Sequence, residues 1–408
     1  MTEALVADLT GSDPSFTADP YPLFAALRDR GPVHRARVLD GRDCWLITDY
    51  ELARAAFTDP RLSNDIRHLK AWENLGRNVV GKTLMQVDPP DHTRLRRFIA
   101  REFTLRRVQA MRPRVERIAH ELLDTMLSSH EADLVESYAL PLPLSVICEL
   151  LGVPEGDRAD FHLWSSDLSA PPTLERGIAA QEAMTAYLSA LVDSKRKAGG
   201  EDLLGAMARA VHDDGDRLSA EELLGMAFLL LVGGHESTAN VISSGTLALL
   251  RNPGQLAALR ADWSLLETAV EEVLRFDGPV EVSAYRYTTE PVLIGDTEIP
   301  AGEVVLIGMA AAGRDARRFA EADRFDLGRE LREIRAHLAF GHGVHHCVGA
   351  PLARMESGIA LRALLERCPQ LALAVPYEDL TWKPPTFQLR GLQRLPVRFG
   401  FAGPAGRG

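Results

Sequence analysis

Histidine and cysteine crowd one short stretch of this sequence, residues 339–358, which reads AFGHGVHHCVGAPLARMESG. His342, His345, His346 and Cys347 fall within six positions, which raises transition-metal chemistry first. A structural zinc site draws four ligands at separations matched to a turn or a helix. These four are too crowded for all of them to reach one ion. Adjacent residues point in different directions in either an extended or a helical backbone. A nucleophilic cysteine–histidine pair is a second reading, but no orienting partner or motif supports it. Gly341, Gly343 and Gly349 suggest a third: a tight loop whose backbone amides approach one sulfur. The run VGAPLARMESGIALRALLE reads as a helix, with Cys347 near its N-terminus, where the dipole favours a thiolate.

A second group able to do chemistry sits in the middle of a long helical pattern. Ser219 and Glu222 form a capping box. The pattern then runs about thirty residues to Asn252-Pro253, where proline ends it. Its centre reads VGGHESTAN. Two adjacent glycines cost roughly 1 kcal/mol each in a helix interior, and Glu236, Ser237 and Thr238 follow at once. One reading is close helix–helix packing beside a solvated acid. The other is a bulky flat ligand against the glycines. In that case the hydroxyls, by bonding to i−4 carbonyls, open the helix locally and leave groups that pass protons.

Charge is unevenly spread along the chain. The net charge is −11, yet the stretch from His92 to Arg117 holds nine arginines and only two glutamates. His92 and Arg96 share one face of the predicted helix over 92–117. That face either is solvated or points at an anionic group, and the outer arginines offer a docking patch for an acidic partner. Glu272 and Arg275, three apart among apolar residues, are within reach of each other, and Arg324 in EADRFDLGR is a candidate third member. The pair needs further hydrogen bonds if it is buried.

The elements that must position these groups are mostly helices. A helix is expected at 19–31, a strand around CWLIT in 33–48, and helices dominate from about 92 to 275. Short strands are expected at 291–295, at 303–309 and near the C-terminus in TFQLRG and LPVRFGF. The fold class is mainly α (α+β), with small sheets confined to the two ends of a single domain, 1–408. Apolar residues make up 46% of the chain and charged residues 25%, a soluble globular mix. The acidic balance argues against nucleic-acid binding. Four scattered cysteines without a CxxC pair point to a reduced, cytoplasmic setting. No signal peptide is evident, and the longest apolar stretch, LLGMAFLLLV, is too short for a membrane span.

A single thiolate with an open opposite face is how an iron porphyrin is held for O–O cleavage, and here a family resemblance becomes specific. FGHGVHHCVG, EVLR, DRF and VGGHES stand in the order found in soluble bacterial cytochromes P-450, which the chain resembles along essentially its whole length. The resemblance implies a long central helix over heme b, small β-sheets at one side, and Cys347 as proximal iron ligand. It implies a structural triad of Glu272, Arg275 and Arg324. His92, Arg96, Arg286 and His345 would bind the heme propionates, Phe340 would pack near the ligating sulfur, and Gly349 completes the cysteine loop. Gly234 would let porphyrin or O2 approach the helix. Glu236 matches the family's acid. Ser237 stands where threonine is usual, so Ser237 or Thr238 would complete the proton relay. Met85, Leu230, Val282 and Phe387 fall in segments that line the substrate cavity, where Glu281 is an unusual charge. His342 and His346 become structural or surface residues.

The implied activity is monooxygenation: one O2 oxygen enters a small hydrophobic molecule by hydroxylation or epoxidation, in secondary-metabolite tailoring such as that of a polyketide or macrolide. Electrons would come from NAD(P)H through ferredoxin reductase and ferredoxin, docking at the outer arginines among Arg97, Arg101, Arg106, Arg107 and Arg112. A monomer is expected. Peroxide-driven or non-oxygenating chemistry on the same fold, and a non-enzymatic heme-binding protein, are the alternatives.

Overall fold

The capping box at Ser219 starts a helix that crosses the molecule. In the computed structural model, which describes residues 6–10, 13–38, 41–70, 83–169, 173–211, 215–383 and 388–400, the helix Ala220–Arg251 runs unbroken for 32 residues. The Ser219 hydroxyl accepts from the Glu222 amide at 3.1 Å, and the Glu222 carboxylate accepts from the Ser219 amide at 2.8 Å. Asn252 ends the helix, and Pro253 opens the next one, Pro253–Ala261. The local opening expected around Ser237 does not occur. The Ser237 hydroxyl donates to the Gly233 carbonyl at 3.1 Å, and the helix continues. A carbonyl has two lone pairs, so it can take a hydroxyl in addition to its ladder partner.

Against this central helix pack Pro141–Leu151, Leu266–Phe276 and Ala350–Arg367. Leu123, Leu142, Leu231, Ile242, Val273 and Leu361 belong to the apolar core between them. Tyr138, fully buried in that core, donates to the Ala360 carbonyl at 2.9 Å. The basic stretch forms two helices rather than the one expected over 92–117. They are Asp91–Ala100 and Leu105–Met126, and the Thr104 side chain caps the second. A threonine with extended φ/ψ offers its hydroxyl to the orphan amides of a new helix, which favours a restart there.

Eleven short strands are described: β1 (Ala7–Asp8), β2 (Val33–Arg37), β3 (Asp43–Ile47), β4 (Leu62–Ser63), β5 (Glu131–Asp133), β6 (Arg286–Thr288), β7 (Val292–Ile294), β8 (Thr297–Ile299), β9 (Val304–Ile307), β10 (Ala372–Leu373) and β11 (Pro396–Arg398). The main sheet has the order β1-β2-β3-β9-β6-β4, so residues 286–307 are sewn to the N-terminal hairpin. Trp45 pairs with Val305 and Ile47 with Ile307 in parallel register. The C-terminal strand β11 pairs with β5, a strand inside the region expected to be helical, so the sheets are not confined to the chain's two ends. Of TFQLRG (386–391), residues 386 and 387 lie outside the described residues, and Leu389 forms one bridge with Val280. Among the described residues no helix is long and apolar enough to cross a membrane.

The pair at 272 and 275 is deeply buried, with no solvent exposure of either side chain. All five N–H donors of Arg275 are used. Nε and Nη2 donate to Glu272 at 2.7 and 2.8 Å, Nη1 to the Gly313 and Ala322 carbonyls, and Nη2 to the Arg324 carbonyl. The third arginine side chain is not that of Arg324. Its guanidinium is exposed beside Glu321 and Asp326, and only its backbone carbonyl joins the network. Arg329 takes the place instead: Nε donates to Glu272 at 3.1 Å, and its Nη groups bind the Ala320, Glu321 and Arg324 carbonyls. Replacing Arg329 by alanine is therefore expected to cost about 1.5–3 kcal/mol of stability. The same change at Arg324 is expected to cost about 0–1 kcal/mol. Urea unfolding of the two variants checks the order, and an equal or reversed order refutes the assignment.

Candidate functional site

The cysteine loop is shaped by its glycines. Gly341 and Gly343 take φ of +70° and +73°, a region open to glycine at little cost. A Cβ on Gly343 would lie 2.9 Å from the Thr58 side chain and 3.2 Å from the Phe57 carbonyl. The Cys347 amide donates to the Phe340 carbonyl at 2.9 Å, and the helix Ala350–Arg367 begins three residues after the cysteine. Burial raises the thiol's pKa; the Gly349 amide, the Arg96 charge, the Ala350 amide and the Arg354 charge oppose it. Three of the four cysteines are buried, whereas Cys347 is exposed. Among the described residues, no group of three or more His, Cys, Asp or Glu side chains is placed to hold a metal ion. The three loop histidines therefore do not complete a polydentate site.

Four basic side chains from distant segments gather beside this loop. His92 comes from the first basic helix and is 1% exposed, yet neither ring nitrogen has a hydrogen-bond partner. Its ring lies 4.1 Å from that of His345, whose Nε2 is also unpartnered. Arg286 of β6 is buried, donates from Nη1 to the Leu62 carbonyl at 3.2 Å, and leaves Nε unpaired. Arg96 Nη2 donates to the His346 carbonyl at 2.6 Å, one residue from the cysteine. Burial depresses the pKa of each of these bases, pushing His345 down to about 3 and Arg286 to about 10. Asp88, with a carboxylate oxygen 4.0 Å from His345 Nε2, offsets only part of the charge. Orphaned donors buried with a surplus of positive charge are costly unless an anion meets them. A flat ligand carrying two carboxylates fits that donor set, with the Cys347 sulfur free to reach its centre.

The central helix supplies the facing groups. Gly234 does not face such a ligand, because a Cβ there would meet Ile147 at 3.2 Å. Gly234 thus serves close packing with the helix Pro141–Leu151. Gly233 has nothing within 4 Å of its notional Cβ and is exposed, so it is the open position. Gly233 and Ser237, one turn apart, share a face, and Gly234 lies 100° round the helix from Gly233, against Ile147. Glu236 is buried and paired with Lys383 Nζ at 3.0 Å, the two side chains 7% and 9% exposed. His235 accepts at one ring nitrogen from the Ser165 hydroxyl, and its other nitrogen donates to the Leu231 carbonyl at 2.6 Å, tying the helix to Arg158–Ser169. Thr238 is buried, 3% exposed.

Of the cavity residues, Leu230 and Val282 are buried and Met85 is exposed, while Phe387 lies outside the described residues. So do residues 71–82 and 170–172. Glu281 lines a small cleft with Phe16, Thr17, Lys383 and Arg390. Burial pushes its carboxyl up to about 7, with Arg390 opposing and Asp277 reinforcing. Sequence reasoning missed Lys383, Arg329 and Gly233. Arg329 ends the same EADRFDLGR stretch that suggested Arg324, and Gly233 adjoins Gly234, but nothing local marks Lys383.

A central helix facing a cysteine loop, with buried bases gathered at the side, defines a heme-thiolate type of protein. The model of the cytochrome P450 family matches residues 178–375. The chain is 50% identical to the cytochrome P450 monooxygenase PikC of Streptomyces venezuelae, covering 98% of this chain and 96% of that one. It is 44% identical to 6-deoxyerythronolide B hydroxylase of Saccharopolyspora erythraea, over 94% and 97% of the two chains. The structure of the tirandamycin C-bound P450 monooxygenase TamI matches with a TM-score of 0.88 and 42% identity, covering 97% of this chain and 100% of that one. The chain belongs to the cytochrome P450 family and is a heme monooxygenase.

His92→Phe tests the donor set without touching the sulfur. In heme-free protein it is expected to raise stability by about 1 kcal/mol, because two unpaired buried nitrogens disappear. The heme-loaded variant should release heme several-fold faster to an apomyoglobin acceptor. Unchanged heme release would show that His92 does not contact the cofactor.

Proposed function

We propose that Cys347 ligates the heme iron through its thiolate and that His92, Arg96, Arg286 and His345 hold the two heme carboxylates. The single observation that carries this reading is the set of buried, unpartnered basic nitrogens beside an accessible cysteine at a helix start. Bound heme supplies activation of O2, so that RH, O2, two electrons and two protons give ROH and water. The chain's own residues do the rest. Phe340 packs beside the sulfur loop and excludes water from it. The amides of Gly349 and Ala350 donate to the sulfur and stabilise its negative charge. Glu236, Ser237 and Thr238 move protons toward the face opposite Cys347. The Ser237 hydroxyl, now turned to the Gly233 carbonyl, has to rotate about χ1 to do so. Lys383 holds Glu236 in place until it does.

The substrate we propose is a bulky, largely apolar secondary metabolite of the polyketide or macrolide type, modified by hydroxylation or epoxidation. A relative named 6-deoxyerythronolide B hydroxylase and a solved cytochrome P450 named for the bacillaene polyketide synthase support it, as do the apolar Leu230 and Val282. The same family includes a vitamin D(3) 25-hydroxylase from Pseudonocardia autotrophica, 44% identical over 95% of this chain, so a rigid apolar skeleton is the common demand. A ferredoxin fed by a reductase from NAD(P)H is the proposed electron source, with the protein acting as a cytoplasmic monomer. Arg97 and Arg106 are exposed and have no charged partner among the described residues. Arg107 is paired with Glu102, and Arg112 with Glu116 at 3.5 Å, so they present less free charge.

Reduced protein under CO is expected to absorb near 450 nm, and Cys347→Ala to lose that band; a band that survives the substitution excludes Cys347 as ligand. First-electron transfer from ferredoxin should slow as salt shortens the screening length from about 10 Å at 0.1 M to about 3 Å at 1 M. A rate independent of ionic strength rules out the arginine patch.

A further inference from the structure

Glu271 precedes the buried Glu272 by one residue, a 100° step round the helix, and meets His337 and Arg354 on either side of the cysteine loop. Its side chain is 1% exposed, and two segments converge on it, one of them also bringing Arg335 Nε to 3.7 Å of its carboxylate. Arg354, on the helix that follows Cys347, donates from Nε at 2.5 Å and from Nη2 at 3.1 Å, a two-pronged grip. His337, just before the loop, lies with Nε2 2.9 Å from the same carboxylate. The Ala339 amide donates to His337 Nδ1 at 3.1 Å, so the ring proton sits on Nε2 and is donated to Glu271. Burial opposes the charge on Glu271, but the bonds from His337 and Arg354 draw its carboxyl down to about 2. The other side of the Arg354 guanidinium lies on the Phe340 ring, 4.4 Å from its centre. Phe340 in turn accepts the Cys347 amide through its carbonyl at 2.9 Å.

A guanidinium gripped at two points keeps its plane fixed, which a lone surface arginine does not. A charge fixed in a poorly solvated place acts on its neighbours more strongly than one in water. Arg354 is among the charges that stabilise the Cys347 thiolate. We propose that Glu271 is a positioning residue of the cysteine loop: it holds Arg354 flat on Phe340 and His337 on the Ala339 amide, and thereby sets the reduction potential of heme held at Cys347. This inference rests on the reading that Cys347 ligates the iron. Reduction adds one electron to ferric heme without making or breaking a bond, so a nearby positive charge favours the reduced state and a nearby negative charge opposes it.

Reduction potentials of heme-loaded wild type, Glu271→Gln and Arg354→Gln, measured by dithionite titration with mediators, test the proposal. Gln keeps the shape of Glu271 and removes its charge, which moves the potential upward, whereas the loosened grip on Arg354 moves it downward. Arg354→Gln removes the positive charge and is expected to move it downward. Should Arg354→Gln fail to retain heme, Arg354→Lys replaces it. An ammonium cannot make the two-pronged grip or lie flat on the ring, and a smaller downward shift is expected. Because Glu271 acts through Arg354, the Glu271→Gln shift is expected to be less positive in wild-type background than in an Arg354→Gln background; single-variant potentials equal to wild type, or a Glu271→Gln shift of the same size in both backgrounds, overturn the proposal even where melting temperatures fall. Absence of the 450 nm band from the wild-type CO complex would instead refute the ligand reading, whatever the potentials.

Discussion

Glu272 and Arg275 carry full opposite charges with no contact to solvent. Taking such ions out of water costs several kcal/mol each, and their attraction offsets this only when the remaining hydrogen-bonding capacity is also used. Here it is used. The guanidinium spends its three other N–H groups on carbonyls of residues 313, 322 and 324, and the carboxylate also takes the Asp326 amide and Arg329. The irregular segment from 313 to 329 is thereby tied to one helix. The next residue of that helix toward the N-terminus, Glu271, meets His337 and Arg354 on either side of the cysteine loop. Scaffold and ligand loop therefore share one short helix, Leu266–Phe276, and its two adjacent acids divide the work.

Elsewhere in the molecule some polar groups are left unsatisfied, and three residues carrying such groups meet where a ligand belongs. His92, His345 and Arg286 are brought together from a helix, a loop and a strand, each with a buried nitrogen lacking a partner. A fold selected only for stability would pair or expose them. The contrast with Arg275, whose donors are all occupied, separates a structural buried charge from a binding one by its hydrogen-bond count rather than by its residue type.

The central helix follows the same division. Glu236 is a buried acid whose charge is met by Lys383, from a segment almost 150 residues later, while Ser237 rests its hydroxyl on its own helix. Both groups are held by bonds that can be exchanged without unfolding. The helix itself stays whole, because the diverted hydroxyl adds to the Gly233 carbonyl instead of breaking its ladder bond.

Much of this was legible from local spacing. The capping box, the proline stop, the glycine-bounded cysteine loop before a helix and the Glu272–Arg275 pair all depend on neighbours within a turn or two. For such features backbone geometry fixes who can meet whom. What failed depended on direction or on distant partners. Which of two adjacent glycines faces the ligand turns on a 100° rotation and on Ile147, and which arginine completes the buried pair turns on how the 313–329 segment folds back. The break at Thr104 and the pairing of β5 with β11 have the same origin. The sequence by itself determined the kinds of groups present, the family and the local motifs. Only the tertiary structure decided which copies of those groups converge, because side-chain contacts across distant segments follow from packing and burial, which local spacing does not encode.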